Sequence, residues 1–383
     1  MKYIKNNFRR RTLFLGGIFF GFLVLTPSVF AAISINTYTI ADSNSGPQQI
    51  VEGPDGNMWL AESNTNYISR ITPSGVITNY TIPTASSNPV GITVGPNNNI
   101  WFTEYATDKI GELTLSGTFT EFNIPTPNSY PLSIATGPDG NIWFTEQLGK
   151  KIGKLTPGGT FTQYSDNSVN AEPYTITAGP DGNMWFTDYG ADNIDKITTT
   201  GTITSYSTPT SGSLPEGIAT GPDGNIWFTE ANADNIGMIT TAGSIKELPL
   251  SNPSGYGTEI VSGQDGNLWF TEGDDEIGTI TTSGILTEYP VTSGSQPNWI
   301  ATGPNDTIWF TERIGNAIGV ISGLNIPTVS TSNAVTPPVK NISPDTGFGQ
   351  PAYNNSVTLA IFSGSVISII IGLNTYRRTR NKN

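Results

Sequence analysis

Apolar and polar positions along the chain recur in a unit of about 42 residues. The segment Gly-Pro-Asp-Gly-Asn-x-Trp-Phe-Thr-Glu, or a close variant, occurs seven times, with its tryptophan at positions 59, 101, 143, 185, 227, 269 and 309. In the unit around Trp227, short apolar runs cover residues 217–220, 226–230, 235–240 and 244–248. Asp-Gly between two apolar runs is a strong hairpin signal, because Gly adopts the positive φ of tight turns. Four short strands in each unit predict a β-propeller blade.

The chain also carries a segment that can close a ring of such blades. The last unit ends after its third strand, at residues 317–322, whereas residues 35–40 match residues 77–82, the fourth strand of unit one. Pairing the N-terminal strand into the last blade would remove two open sheet edges. We therefore expect an all-β fold, a seven-bladed β-propeller of four-stranded blades over residues 33–322. The seven periodic tryptophans are expected to pack between neighbouring blades.

The two ends of the chain predict export and attachment. Residues 1–31 combine a basic start, an apolar run and small residues near Ala31, which is typical of a signal peptide, with a retained membrane anchor as the alternative. Residues 323–342 are rich in Pro, Ser, Thr and Val and predict an extended stalk. Residues 343–383 hold Ser-Pro-Asp-Thr-Gly, an apolar run just long enough to span a bilayer, and a basic tail.

This C-terminal order resembles the cell-wall sorting signal of Gram-positive-type bacteria, whose motif is LPxTG. The resemblance implies a sortase cut between Thr346 and Gly347, with Ser343 where leucine is usual. Without the cut, the apolar run would span the membrane with the basic tail inside. Either way, we expect an exported protein at the cell surface, anchored to the cell wall or the membrane through its C-terminus.

Composition and charge narrow the classes of function. The chain has no cysteine and no histidine, so thiol chemistry, zinc–thiolate sites and imidazole bases are excluded. Nine of the 18 basic residues lie before residue 12 or after residue 376, and all 31 acidic residues lie between these two ends. A surface this acidic would repel phosphate backbones, so we expect no nucleic-acid partner. We expect a monomer that meets an extracellular ligand.

The repeated segment, the Ile-Gly-x-Ile-Thr third strand and the Gly-x-Ile-Thr-Glu-Tyr fourth strand together resemble the virginiamycin B lyase (streptogramin lyase) family. The resemblance covers all seven units. It implies a Mg²⁺-assisted elimination that opens type B streptogramins, in which a histidine takes a proton from the carbon beside the ester carbonyl and the ester oxygen leaves. It also implies site residues directly after the proline, or its equivalent, that opens each blade's inner strand. Those positions hold Gln48, Val90, Leu132, Tyr174, Glu216, Thr258 and Asn298.

By this resemblance, the family's histidine positions are Thr258 and Asn298, Gln296 replaces a carboxylate, and Glu312 keeps the family's residue type. Thr and Asn cannot accept a proton near neutral pH, and a positioned base contributes about 10²–10⁴ in rate. We therefore expect a non-catalytic propeller that binds a peptide, glycan or protein at the funnel face. The alternatives are a Mg²⁺-dependent carbon–oxygen lyase or hydrolase with Glu312 as catalytic carboxylate, and a structural spacer. The predicted ligand-binding residues are Gln48, Tyr174, Glu216, Thr258, Gln296, Asn298 and Trp299.

One carboxylate ends the Trp-Phe-Thr-Glu segment of every blade. If these groups converge at the mouth of the channel, they would hold a hard cation, Mg²⁺ or Ca²⁺, with Glu272 and Glu312 as candidate ligands. Alternatively, each caps its own blade by accepting backbone N–H bonds, which the repeated phase favours. The acidic loop 272–276 is a second cation candidate, against the alternative of a solvated loop. The series is Glu62, Glu104, Glu146, Asp188, Glu230, Glu272 and Glu312.

Overall fold

The computed structural model, which describes residues 33–251 and 256–324, consists of seven four-stranded antiparallel sheets arranged as a β-propeller. Strands β1 to β14 are Ser34–Thr39, Pro47–Glu52, Met58–Glu62, Tyr67–Ile71, Ile77–Thr81, Pro89–Val94, Ile100–Glu104, Lys109–Leu113, Phe119–Asn123, Pro131–Thr136, Ile142–Glu146, Lys151–Leu155, Phe161–Ser165 and Pro173–Ala178. Strands β15 to β28 are Met184–Asp188, Asn193–Ile197, Ile203–Ser207, Pro215–Thr220, Ile226–Glu230, Asn235–Ile239, Ile245–Pro249, Gly257–Ser262, Asn267–Glu272, Glu276–Thr281, Leu286–Pro290, Pro297–Gly303, Thr307–Glu312 and Ala317–Ser322. A single 3₁₀ turn, Tyr189–Ala191, interrupts this pattern in the described residues.

Blades one to six each use four consecutive strands, from β2–β5 to β22–β25, and blade seven is completed by the N-terminal strand. Strand β1 pairs antiparallel with β28, from Ser34 opposite Ser322 to Thr39 opposite Ala317. The predicted fold and its closure are therefore confirmed. The strand bounds differ from the predicted ones by about one or two residues, and the inner strands begin earlier, at their proline or, in blade six, at Gly257.

Every inner strand carries an irregularity where it meets the second strand of its blade. The register shifts between the opening residue and the isoleucine three positions later, for example between Pro215 and Ile218 in blade five and between Pro297 and Ile300 in blade seven. Such bulges change the direction of the side chains around them. The shift breaks the alternation of faces at the channel end of the strand.

The core lies between neighbouring blades. The seven periodic tryptophans are at most 1% exposed, and each packs toward the next blade around the ring. Trp101 of blade two, for instance, shares a buried cluster with Ile142 and Phe144 of blade three. In six blades an aromatic ring on the outer strand covers the tryptophan, as Phe122 does for Trp101 with centroids 5.6 Å apart, and in blade five Leu248 packs in the cluster of Trp227. This confirms the prediction that the tryptophans pack between blades.

Candidate functional site

The residues that follow the opening position of each inner strand meet in one cavity of about 400 Å³ at one end of the channel. All seven predicted positions line it, and so do Gln296 and Trp299. The seven residue types all differ, whereas the packing tryptophan is the same in every blade. The lining positions are Gln48, Val90, Leu132, Tyr174, Glu216, Thr258 and Asn298.

One part of the cavity wall is apolar and aromatic. Val90, Leu132 and Trp299 form a buried cluster against which Tyr105 and Tyr174 pack. Trp299 is 5% exposed, and its indole N–H donates to the side-chain oxygen of Gln48, at 3.3 Å. Trp299 thus connects the inner strand of blade seven to those of blades one, two and three.

The tyrosines of this wall are held by neighbouring groups. Tyr174 stacks on Tyr189, with ring centroids 5.4 Å apart, and burial together with the charge of Glu216 raises the pKa of Tyr174. The hydroxyl of Tyr105 donates to the side-chain oxygen of Gln147, at 3.0 Å. These contacts hold the aromatic side chains of the wall in place.

Another part of the wall carries two carboxyl groups, Glu216 and Glu259. Burial raises the pKa of Glu216 to about 7; burial and the nearby charge of Glu216 raise the pKa of Glu259 to about 8. Glu259 is 7% exposed and also lines a second cavity, of about 460 Å³, formed by the inner strands. Among the described residues that line the cavity, Arg313 is the one with a cationic side chain. The cavity therefore suits a neutral or cationic ligand group at this wall.

Backbone geometry at the rim is also specialised. The residue before the opening proline has a positive φ at Asn88 (51°), Tyr130 (49°), Leu214 (51°) and Gln296 (48°). Its carbonyl accepts the N–H of the residue after the Trp-Phe-Thr-Glu segment, as Gln296 does from Arg313, at 3.0 Å. A left-handed backbone is uncommon for such residues and persists only where the surrounding structure fixes it.

The carboxylate series lies behind this surface rather than on it. The seven side chains are at most 2% exposed, and none of them lines the cavity among the described residues. Their partners are mainly side chains: Thr107 donates to Glu104, and Gln163 donates to Glu146. Asp188 accepts a backbone N–H, from Glu172. The series therefore does not line this cavity, and its contacts come mostly from side chains instead of the backbone N–H groups expected for blade capping. The cation site predicted for the series stays a prediction.

Glu312 and Glu272 share this placement. Burial and the charge of Asp275 raise the pKa of Glu312. Burial, followed by the charges of nearby acidic residues, raises the pKa of Glu272 to about 8. Glu272 lies in an acidic cluster, because its carboxylate is within 4.8 Å of those of Asp274 and Glu276. The catalytic role predicted for Glu312, and the metal roles predicted for both residues, stay predictions.

Several lining residues were not predicted from the sequence. They include Glu259, Tyr105, Tyr256 and Arg313. The sequence does contain a pattern that marks them. Residue types also vary from blade to blade at three other positions: two after the opening residue, one before it, and one after Trp-Phe-Thr-Glu. Variation inside an otherwise regular repeat would have found them.

The predicted end segments lie outside the described residues. This applies to the signal peptide at 1–31, to nearly all of the stalk at 323–342, and to 343–383 with Thr346 and Gly347. Within residues 33–251 and 256–324, no helix has the length and apolar character needed to cross a membrane.

Comparison with known proteins agrees with the fold and the repeat. The model of the virginiamycin B lyase family matches residues 28–173 and 128–326. A streptogramin B lyase structure is 36% identical, with a TM-score of 0.73 over 76% of this chain and 97% of its own. Virginiamycin B lyase from Staphylococcus aureus is 35% identical, with a TM-score of 0.73 over 76% of this chain and 99% of its own.

A further structure, with the same identity, coverage and TM-score, is that of a catalytically inactive histidine-to-alanine variant of the Staphylococcus aureus enzyme with quinupristin. A search of curated proteins finds no match. The family match spans most of the chain, and the relatives are covered over nearly their whole length. The chain therefore belongs to the virginiamycin B lyase family.

Proposed function

We propose that this chain is a binding member of its family. It holds a ligand in the cavity of about 400 Å³ at the end of the channel, the funnel cavity, and does not cleave the ligand's ring. One observation carries the proposal: seven inner strands, built on one repeat, present seven different side chains to a single cavity. Packing explains the positions that stay the same in every blade. It does not explain why the seven positions that face the cavity each hold a different side chain, and recognition of an asymmetric ligand does.

The absence of histidine supports binding over elimination. A single histidine-to-alanine change is found in a catalytically inactive relative, and this chain has no histidine at all. Thr258 and Asn298 occupy the places at which the resemblance puts the family's histidines. Thr258 donates its hydroxyl to the backbone oxygen of Asn298, at 2.9 Å, so the two residues support each other.

The cavity favours a ligand with one apolar face and several hydrogen-bonding groups. The aromatic wall offers stacking surface, and the amides and carboxyls opposite offer donors and acceptors. A peptide or a glycan, alone or as part of a protein, has this chemistry. Quinupristin, which accompanies a relative's structure, is a suitable first probe.

The test combines a binding measurement with a product assay. The full-length protein is titrated with quinupristin and then with peptide and glycan arrays, and each mixture is also analysed by mass spectrometry for an altered ligand. We expect binding without conversion, and we expect Tyr174→Ala to weaken binding about tenfold or more. Tyr164→Ala is the matched control, because Tyr164 stacks on Trp143 and does not line the cavity. Equal effects of the two changes would contradict binding in the funnel.

A carbon–oxygen lyase is the second candidate, and the raised pKa values of Glu216 and Glu259 favour it. A carboxylate with a pKa near 7 can take a proton from the carbon beside an ester carbonyl, after which the ester oxygen leaves with the bonding electrons. In the described residues, these are the two carboxylates that line the cavity, and no third acidic ligand joins them. This donor set does not form a complete magnesium site. Quinupristin conversion that is lost in Glu216→Gln would establish the lyase and overturn the binding proposal.

We also propose that the propeller is displayed at the cell surface by its C-terminal segment. The support is the order of Thr346 and Gly347, the apolar run and the basic tail in the sequence. Cell fractionation tests it: the protein should stay with the wall or membrane fraction, and deletion of 343–383 should release it into the medium. A Thr346→Ala change that shifts the protein from the wall to the membrane fraction would identify sortase as the partner. Soluble protein in the cytoplasm would contradict the proposal.

A further inference from the structure

Three aspartates form a buried cluster between blades three and four, apart from the funnel cavity. Asp166 follows β13, Asp188 ends β15, and Asp195 lies in the middle of β16. One carboxylate oxygen from each lies within 4.8 Å of those of the other two. Asp166 is 6% exposed, and Asp188 and Asp195 are fully buried.

All three residues depart from the repeat. One blade earlier, 42 residues back, the same positions hold Ile124, Glu146 and Gly153. The glycine is required there because a Cβ would lie 2.0 Å from the ring of the neighbouring phenylalanine. Asp195 occupies this place beside Phe186. Five of the other six blades have glycine at this position and blade one has Ser69, so packing does not explain a buried aspartate there.

The carboxylates of the cluster are only partly satisfied by the protein. One oxygen of Asp166 accepts the backbone N–H of Ser168, at 2.9 Å, and one oxygen of Asp188 accepts that of Glu172, at 2.6 Å. The side chains of Asp166 and Asp188 also approach each other, but their second oxygens, and both oxygens of Asp195, have no hydrogen-bond partner of normal geometry. The hydroxyl of Ser205, opposite Asp195 on the next strand, approaches it without a bond of normal geometry.

Cationic side chains do not compensate these acids. None of the ion pairs among the described residues involves the cluster. Buried acids are stabilised by a paired charge or by a metal ion.

The chemistry of the oxygen atoms in the cluster indicates which cation would bind there. All the atoms are carboxylate oxygens, which hard divalent cations prefer. Two oxygens bound to one Ca²⁺ lie at most about 5.2 Å apart, and the cluster satisfies this limit. Mg²⁺ usually keeps several water ligands, for which a buried site leaves little room, whereas Ca²⁺ accepts bidentate carboxylates. We propose that Asp166, Asp188 and Asp195 bind one Ca²⁺ that joins blades three and four.

Calorimetry and thermal unfolding of the full-length protein test the site. After treatment with a chelator, Ca²⁺ should bind and raise the Tm by about 5 °C at a hundred times its Kd, and Mg²⁺ should have a smaller effect. Asp195→Asn keeps the size of the side chain and removes its charge. In this variant the Tm without Ca²⁺ should be equal to or above that of the wild type, and the Ca²⁺-dependent rise should be lost.

The second acidic cluster provides the control. Glu276→Gln removes one carboxylate from the group around Glu272, which is the other close group of acids in the described residues. This variant should keep the rise in Tm that Asp195→Asn loses. No Ca²⁺ response in the wild type, or a full response in Asp195→Asn, would overturn the proposal.

Discussion

At the scale of single residues, the funnel cavity is lined by side chains that differ from those at the same position of other blades. Glu259 occupies a position that holds Gly in blades two and five and Ser in blade three. Its backbone packs closely on Gly217 of blade five, where a Cβ would lie 2.6 Å from the Cα of Glu259. A nearly buried carboxyl is therefore built into the channel wall, and its protonation must contribute to stability.

We predict that Glu259→Gln makes the protein less sensitive to pH. The folded pKa of Glu259 is raised to about 8, so the protonated form stabilises the fold below pH 4.5, and this stabilisation is lost as the pH rises toward 8. The free energy difference is at most about 5 kcal/mol. Thermal unfolding between pH 5 and 9 should show a falling Tm for the wild type and a flatter profile for the variant, which should be the more stable protein above pH 8.

Asp275→Asn is the control for this measurement. Backbone N–H groups of Gly294 and Gln296 lower the pKa of Asp275, so it stays ionised throughout this range. The change should lower the Tm by a similar amount at every pH between 5 and 9. A wild-type profile that Glu259→Gln reproduces without flattening would contradict the role given to Glu259.

The side chains that line the cavity were predictable from the sequence where a recurring residue of the repeat marks their position. The opening proline locates Gln48, Tyr174 and Glu216 without any structure. Glu259 was not predicted because successive side chains of a regular strand point to opposite faces, so that Glu259 would point away from the channel when Thr258 faces it. The register shift between Gly257 and Ile260 removes that alternation. Pairing irregularities depend on the neighbouring strand, so one strand's sequence does not reveal them.

At the scale of the structural element, the Asp-Gly turn has a second role besides reversing the chain. Gly224 has the expected positive φ, 75°, and the preceding Asp223 accepts the indole N–H of Trp227, at 3.1 Å. The turn therefore satisfies the one polar atom of the buried tryptophan. The hairpin was predictable from local sequence, and this bond was not, because it requires the two strands to be paired first.

We predict that Asp181→Ala, in the turn of blade four, destabilises the protein by about 2 kcal/mol, because it leaves the indole N–H of Trp185 without an acceptor. That N–H donates to Asp181 at 3.0 Å. Asp181→Asn should cost less than half as much, since blade two already uses Asn97 to accept from Trp101. Urea unfolding at pH 7 measures both. Equal losses would show that charge, rather than the hydrogen bond, stabilises the turn.

At the scale of the whole molecule, stability depends on a ring that the two ends of the propeller close together. Strand β1 is the outer strand of blade seven, and Ile40, just after it, belongs to a buried cluster between blades seven and one. Tyr38 stacks on Trp309 of blade seven and donates its hydroxyl to the backbone oxygen of Pro73 in blade one, at 3.1 Å. One short segment thus joins the first and last blades.

Deleting residues 33–40 should therefore change the oligomeric state of the protein as well as its local packing. Loss of β1 leaves the N–H and C=O groups along the free edge of β28 unpaired, and such an edge pairs readily with another chain. We expect the shortened protein to melt about 10 °C lower and to form dimers or larger species in light scattering after gel filtration. Tyr164→Ala, which removes the equivalent stacking ring in blade three, should lower the Tm by less and leave the molecular mass unchanged. A shortened protein that stays monomeric with the wild-type Tm would show that the ring does not depend on this strand, and the closed propeller would then be held by the contacts between blades alone.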